Sequence, residues 1–342
     1  MKIVVLAGGV GGARFVRGVR EAVRRASSGA PNDADAALAN AQVDVIVNTG
    51  DDWWLAGLRI APDHDSLLYT LSGQNDEVRG WGRVGETERV SAELQAHGVT
   101  PDWFTLGDLD LGTHIARTAW LRSGLTPSEV SARLQARWPL GVTLHPATDD
   151  EVDTYVVTTA GERLHFQEWW TRHRATLPAA RFEQQNLATA RPSPGALAAL
   201  AAADVVLIAP SNPVVSIGTI LSIPGMRDAV LSAGSSSPAG RAPIVGVSPI
   251  IAGAAVRGMA DACLTAIGVE TDAAAVARHY GSRSSGGLLD AWLVGVEDES
   301  LLTGLRADGF AASAVPLWMR DLDTSATLAA AALAAGLEQP RA

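Results

Sequence analysis

Four aspartates, Asp51, Asp52, Asp63 and Asp65, lie in one short segment that directly follows the apolar run 43–47. Carboxylates this close together repel one another unless a cation or a proton relieves the charge. Oxygen ligands suit Mg²⁺, which bridges protein carboxylates to a substrate phosphate. The segment therefore predicts a Mg²⁺ site. The alternative is a structural loop in which Asp63 caps a helix.

Glycines dominate the segment between the apolar run 2–7 and a helical pattern that starts near Ala13: they are Gly8, Gly9, Gly11 and Gly12. Backbone N–H groups at a strand-to-helix turn can bind a phosphate, and glycines allow its close approach. A dinucleotide fingerprint fails because Arg14 stands where its third glycine belongs, and a Walker A loop lacks its Gly-Lys-Ser/Thr. The segment predicts phosphate or diphosphate binding; the alternative is a tight turn without a ligand.

Further polar segments offer groups for a ligand. Asn212 and Ser216 follow a buried strand pattern and could bind a base or a phosphate. Asp110, His114 and Arg117 lie at or near the start of a helix, where capping and ligand contact are both open. Several tryptophans adjoin polar loops, where a ring either stacks on a flat heterocycle or packs in the core. They are Trp53, Trp54, Trp81, Trp169 and Trp170.

The elements that position these segments read as an α/β protein. Continuous apolar runs predict core strands at about 2–7, 43–47, 204–209 and 243–247. With helices between them, they predict a Rossmann-like, doubly wound, mostly parallel sheet. The middle of the chain, about 70–190, is expected to be a largely helical excursion from the sheet. It contains helices at 87–98, 113–123 and 127–137 and a β-hairpin that turns near Gly161. Residues 27–41 are predicted to be a surface loop, and 326–337 a closing helix.

Composition limits the classes of function. The chain has 342 residues, 47% of them hydrophobic, and a formal charge of −10, which disfavours binding to nucleic acid or anionic lipid. We expect one domain over residues 1–335. The single cysteine, Cys263, fits a reducing compartment, and no stretch resembles a leader or a membrane span. The expected location is the cytoplasm.

Eight motifs, in this order, closely resemble the 2-phospho-L-lactate transferase family of coenzyme F420 biosynthesis. They occupy 8–15, 47–52, 62–70, 80–82, 106–110 with His114, 165–170, 211–218 and 248–251. The resemblance covers about residues 1–335. Segments 8–15 and 165–170 are similar to the actinobacterial branch, the phosphoenolpyruvate transferases.

The resemblance implies a Mg²⁺-dependent transfer between small molecules. The donor would be a three-carbon acid activated by guanosine diphosphate, with lactyl and enolpyruvyl donors both open. The acceptor would be FO, 8-hydroxy-5-deazariboflavin, whose terminal ribityl hydroxyl attacks the phosphate that bears the acid. GMP leaves, and F420-0 or its dehydro form is the product. The resemblance also implies a homodimer.

It further implies that Asp65 and Thr105 contact FO, and we place Trp53 and Tyr69 beside its tricyclic ring. Asp51, Asp52 and Asp65 are expected to be the catalytic residues that hold Mg²⁺ and the attacking hydroxyl. The guanosine diphosphate portion of the donor is assigned to a separate set. That set is Gly8, Gly9, Gly11, Gly12, Asn212 and Ser216.

Two rival functions belong to other classes. The first is a regulatory protein that binds a nucleotide sugar without turnover, resembling the related gluconeogenesis factors. The carboxylates of segment 62–69 beside a stacking site favour the transferase, because a sensor has no evident use for them. The second is a dinucleotide-dependent oxidoreductase, against which Arg14 in the glycine segment argues.

Overall fold

The structure is a computed structural model that describes residues 1–28, 38–237, 239–256 and 258–339. In chain order the strands are β1 (Lys2–Ala7), β2 (Gln42–Val47), β3 (Trp53–Leu55), β4 (Leu58–Ile60), β5 (Thr143–Pro146), β6 (Thr154–Thr158), β7 (Arg163–His165), β8 (Ala179–Gln184), β9 (Val205–Ile208), β10 (Ile244–Val247), β11 (Ile250–Ile251), β12 (Ala254–Ala255), β13 (Ala291–Gly295) and β14 (Ala311–Val315).

The α-helices lie between and after these strands. They are α1 (Gly9–Ser28), α2 (Pro62–Ser72), α3 (Arg89–Ala96), α4 (Asp108–Arg122), α5 (Pro127–Gln135), α6 (Pro194–Ala201), α7 (Ile217–Ser222), α8 (Met226–Leu231), α9 (Ala260–Ala266), α10 (Ala273–Tyr280), α11 (Leu302–Ala307) and α12 (Leu322–Leu337). In the part of the chain that the structure describes, none of them is long and apolar enough to cross a membrane.

The central sheet has seven parallel strands in the order β14-β13-β10-β9-β1-β2-β5. Strand β1 is buried on both faces, and its Val5 lies beside Val45 of β2 and Leu207 of β9. The strand order reverses between β1 and β9, where ligands bind in open α/β sheets. The predicted doubly wound α/β fold is confirmed.

Alternate residues of the central strands bury opposite faces of the sheet. Ile3 and Val5 pack on one face with α1, α2, α5 and α12, whereas Val4 and Leu6 pack on the other with α6, α7, α8 and α10. The helices α1 and α12 approach closely at Gly18, where a Cβ would overlap the Ser325 backbone. This packing fixes the start of α1 at the carboxyl edge of the sheet.

The middle segment differs from the prediction in part. Its helices are confirmed as α3, α4 and α5, and the hairpin near Gly161 is β6 and β7. The excursion nevertheless returns to the central sheet as edge strand β5, and β8 adds a third strand to the hairpin. The four residues of β5 include His145 and Pro146, so its sequence carries little strand signal.

The starts of two other helices also differ from the prediction. Helix α1 begins at Gly9 instead of near Ala13, and α12 begins at Leu322, capped by Asp321. Most of the predicted surface loop 27–41 lies outside the described residues, while Ser27 and Ser28 still belong to α1.

Candidate functional site

Three loops meet at the carboxyl ends of β1, β2 and β9. The Gly8 N–H donates to Ser211 Oγ at 3.0 Å, and Ser211 Oγ donates back to the Gly8 carbonyl at 2.7 Å. A Cβ at Gly8 would overlap Asp63 Oδ2 and lie 2.7 Å from Ser216 Cβ. The structure therefore brings the glycine segment, the acidic segment and the segment 211–216 together. We call this place the crevice, formed by Gly8, Gly9, Asn48, Asp51, Asp63 and Ser216.

The four glycines have different surroundings. Gly9 begins α1 with φ of +63°, a conformation that favours glycine. A Cβ at Gly11 would lie 2.9 Å from the Pro210 carbonyl oxygen. A Cβ at Gly12 would lie 2.7 Å from Ser211 Oγ. Gly11 and Gly12 thus permit close packing of α1 on the loop after β9, and Gly8 and Gly9 form the part of the segment next to Asp63.

Two buried carboxyls share one amide in the crevice. Asn48 Nδ2 donates to Asp51 Oδ1 at 2.5 Å and to Asp63 Oδ2 at 2.9 Å. Burial, with the nearby charge of Asp63, raises the pKa of Asp51 well above its usual range. Burial raises the pKa of Asp63 to about 6, although hydrogen bonds from Asn48 and the Gly9 N–H oppose that shift. The pair therefore retains a proton that a bound cation would displace.

Asp52 lies in a different environment from Asp51. Burial raises the pKa of Asp52 to about 8, against the opposing charges of Arg59 and Arg117. Its Oδ1 has no hydrogen-bond partner among the described residues. Asp52, Arg59 and Arg117 line a second cavity of about 330 Å³ near the ends of β2 and β5.

Asp65 belongs to a buried network on the opposite side of α2 from Asp63. The Arg117 guanidinium donates to Asp65 Oδ1 and, at 2.9 Å, to His114 Nδ1. His114 Nε2 lies 3.3 Å from Asp110 Oδ1, which accepts a hydrogen bond of 2.7 Å from the Tyr69 hydroxyl. Burial acts to raise the pKa of Asp65, but the Arg117 charge outweighs it and holds that pKa well below its usual range. Asp65 is therefore ionised at neutral pH.

The expected metal ligands do not surround one point. In the described ranges, one group of three His, Cys, Asp or Glu residues has ligand atoms within 4.8 Å of one another, namely Asp65, Asp110 and His114. Arg117 already supplies a positive charge to Asp65 there. The oxygen-only pair Asp51 and Asp63 suits Mg²⁺ better, because Mg²⁺ prefers carboxylate and water ligands.

A large cavity lies beside the crevice, with a volume of about 480 Å³. We call it the aromatic cavity. Tyr69, Trp81, Trp103, Phe104 and Trp170 line its walls. The lining also has polar side chains. They are Asp65, Thr105, Asp110, His114, Arg14, Arg17 and Glu77. Val10 and Pro62, the chain neighbours of Gly9 and Asp63, also line the aromatic cavity, so it adjoins the crevice.

The expected contacts with a flat ring divide into two groups. Asp65, Tyr69 and Thr105 line the aromatic cavity as expected for a ring-binding site. Trp53 is different, because Trp103 stacks on it at 5.8 Å and His165 stacks on it at 5.2 Å. Trp53 thus supports the wall from behind Trp103, and its indole faces are used within the protein.

The two expected ligand-binding side chains of the loop after β9, Asn212 and Ser216, make different contacts. Asn212 Oδ1 accepts from the backbone N–H groups of Val214 at 2.9 Å and Val215 at 3.2 Å, so it shapes its own loop. Ser216 is buried, and its side chain hydrogen-bonds to Asp63 in the crevice. Of the two, Ser216 is therefore the one that belongs to the crevice.

The sequence indicated no role for Asn48. It placed Asp63 in the acidic segment, with a helix cap as the alternative, but not among the expected metal ligands. Asp63 instead lies in the first turn of α2, and Ala61 is the N-cap. Asp110 and His114 were left open between capping and ligand contact, and both line the aromatic cavity. Helical spacing would have separated Asp63 from Asp65, since residues two apart on a helix do not face the same side.

A family model of the 2-phospho-L-lactate transferase CofD matches residues 3–316. The chain belongs to the 2-phospho-L-lactate transferase CofD family. It is 51% identical over 336 residues to a phosphoenolpyruvate transferase of Streptomyces coelicolor, covering 97% of both chains. It is 49% identical over 341 residues to a phosphoenolpyruvate transferase of Thermobifida fusca, covering 99% of this chain and 98% of the relative.

The fold is shared with a more distant protein. A crystal structure of Bacillus halodurans BH3568, of the UPF0052 family, matches with a TM-score of 0.59 at 16% identity, over 97% of this chain and 99% of that one. As a member of the CofD family, this protein is an enzyme that transfers phosphate-bearing groups, of the phospholactate or phosphoenolpyruvate type.

Proposed function

We propose that this CofD family enzyme transfers a phosphoenolpyruvyl group from a guanosine-diphosphate-activated donor to the terminal ribityl hydroxyl of FO, forming dehydro-F420-0 and GMP. One observation carries the proposal. The aromatic cavity, large enough for a flat heterocycle, adjoins a crevice in which the start of α1 and two carboxyls lie at the switch point of the sheet. The choice of the enolpyruvyl over the lactyl donor rests on the names of the relatives.

FO would occupy the aromatic cavity. Its tricyclic ring suits walls made of Trp81, Trp103 and Phe104, since aromatic faces stack on flat heterocycles. Asp65 is ionised, so it accepts hydrogen bonds and can orient a hydroxyl without removing its proton. Thr105 offers a second polar contact on the lining.

The donor diphosphate would lie in the crevice. Gly8 precedes α1 and Gly9 begins it, and the first-turn N–H groups and the dipole of that helix favour an anion. Asp51 and Asp63 would hold Mg²⁺ there, in place of the expected set of Asp51, Asp52 and Asp65. When bound, Mg²⁺ would neutralise charge that develops on the phosphate oxygens.

The reaction then needs little covalent help from the protein. The ribityl oxygen bonds to the phosphorus that bears the enolpyruvyl group, and the bond from that phosphorus to the bridging oxygen breaks. GMP leaves with that oxygen, and the proton of the ribityl hydroxyl passes to the phosphate of the departing GMP or to water. Phosphoryl transfer of this kind depends on positioning and on electrostatic stabilisation. The network of Asp65, His114 and Arg117 would fix the hydroxyl end of the acceptor, and the crevice would fix the donor.

Calorimetric titration with FO and with GDP tests the two sites separately. We expect Asp65→Asn to weaken FO binding at least about tenfold, through loss of a charge-assisted hydrogen bond, and to leave GDP binding unchanged. Ser216→Ala should weaken GDP binding and leave FO binding unchanged. Wild-type protein that binds neither molecule would overturn the proposal. Wild-type protein that binds both without any turnover would favour the regulatory rival.

A further inference from the structure

The arginine that breaks the dinucleotide fingerprint has no role in the site as described so far. Arg14 lies on the same side of α1 as Val10 and Arg17, and all three line the aromatic cavity. It is half-buried, and among residues 1–28, 38–237, 239–256 and 258–339 it forms no ion pair. Within these same described ranges, its one hydrogen bond, to the Met319 carbonyl oxygen, is long at 3.5 Å.

The other charges of the aromatic cavity are arranged in two groups. At the α1 side, Arg17 is paired with Glu77 at 2.7 Å, so Arg14 is the surplus positive charge. In the second group, on α2 and α4, Asp65 is paired with Arg117, and Asp110 adds a further carboxylate. An anionic group bound in the cavity is therefore attracted towards Arg14 and repelled from Asp110.

We propose that Arg14 recognises the carboxylate of the transferred three-carbon acid and so determines specificity for an acid-bearing phosphate group. This inference rests on the proposed function. Both phospholactyl and phosphoenolpyruvyl groups keep a free carboxylate through the transfer, and that charge needs a partner in a protein of formal charge −10. Arg14 lies one turn beyond Val10, hence close to the crevice where the phosphate is transferred. A guanidinium matches a carboxylate in two-point geometry.

A set of stable ligands isolates this contact. F420-0 contains FO, the phosphate and the lactyl carboxylate, and the ethyl phosphodiester of FO retains the phosphate but lacks the carboxylate. The ratio of their dissociation constants measures the carboxylate alone. In wild-type protein we expect F420-0 to bind about tenfold to a hundredfold more tightly than the ethyl diester. In Arg14→Gln the ratio should fall to near one, while FO and the ethyl diester bind as in wild-type protein.

Arg24→Gln is the matched control, because Arg24 also belongs to α1 but lies outside the aromatic cavity and is paired with Glu21. It should retain the wild-type ratio, and Arg14→Lys should retain part of it. An unchanged ratio in Arg14→Gln would overturn the inference, as would an equal loss of affinity for all three ligands, which marks a structural role. If wild-type protein binds FO but the ratio is near one, the inference fails while the proposed function stands. If wild-type protein binds neither FO nor F420-0, both fail.

Discussion

Arg117 and Asp65 form a buried ion pair in the wall between the aromatic cavity and the second cavity. The side chains are 5% and 6% exposed, so removing one partner leaves the other charge buried and unpaired. Ion pairs of this kind can be replaced as a pair far more readily than they can be broken. The pair therefore both orients Asp65 and makes the site sensitive to a single substitution.

Arg117→Gln should destabilise the protein by about 3–5 kcal/mol, because it leaves the Asp65 carboxylate unpaired. Urea unfolding measures the loss. Arg122→Gln is the control, since Arg122 lies on the same helix, is exposed, and donates to the Gly57 carbonyl. The double variant Asp65→Asn/Arg117→Gln should recover much of the stability. A loss no larger in Arg117→Gln than in Arg122→Gln would contradict the proposed importance of the pair.

Gly8→Ala should lower kcat by at least about tenfold while the protein remains folded. The added Cβ overlaps Asp63 Oδ2 and Ser216, so the crevice must widen and the donor shifts away from the acceptor. Gly112→Ala is the control, because a Cβ there meets no heavy atom within 4 Å in the described structure. It should raise stability by up to about 1 kcal/mol, since alanine favours a helix. Equal kcat values for the two variants would show that Gly8 only shapes a turn.

Asp51→Asn and Asp63→Asn should each raise the Mg²⁺ concentration needed for half-maximal activity, because each removes an anionic oxygen ligand from the crevice. Asp110→Asn, a substitution on the lining of the aromatic cavity, should leave that concentration unchanged. Steady-state rates over a Mg²⁺ series after EDTA treatment give the measurement. A large rise in Asp110→Asn alone would place the ion at the triad of Asp65, Asp110 and His114 instead.

His165 should make the protein less stable in mild acid. Burial lowers the pKa of His165 to about 4, so the folded state favours the neutral ring. A group with a lowered histidine pKa contributes stability that is present above the unfolded value near 6.5 and is lost as pH falls towards 4. His165→Phe should therefore show a flatter decline of melting temperature between pH 6.5 and pH 4. If the melting temperatures of wild-type protein and His165→Phe fall in parallel, protonation of His165 does not cause the loss of stability.

The central sheet could be predicted well because its strands are continuous apolar runs. β1, β2, β9 and β10 are buried on both faces, and their sequences are rich in valine, isoleucine and leucine. The sequence prediction omitted β13 and β14. β14 consists mostly of alanine and serine, which carry little strand preference, and β13 is too short for periodicity to separate it from a buried helix.

The sequence predicted which loops form the site, but it did not predict which side each side chain faces. The segment 62–72 was read for its carboxylates and not as a helix, so Asp65 was grouped with Asp51. In α2, Asp63 and Asp65 point to different sides, one to the crevice and one to the aromatic cavity. Trp53 and Trp54 alternate in the same way on β3, so Trp53 packs inward while Trp54 is 40% exposed.

The most direct measurement is mass spectrometry of the reaction products. Purified protein is incubated with Mg²⁺, FO and enolpyruvyl-diphospho-guanosine, with the lactyl donor and an EDTA-treated sample run in parallel. We expect dehydro-F420-0 and GMP in equal amounts, more slowly formed F420-0 from the lactyl donor, and neither product after EDTA. Absence of any FO-derived phosphodiester with both donors, from protein that binds FO and GDP, would contradict the proposed function.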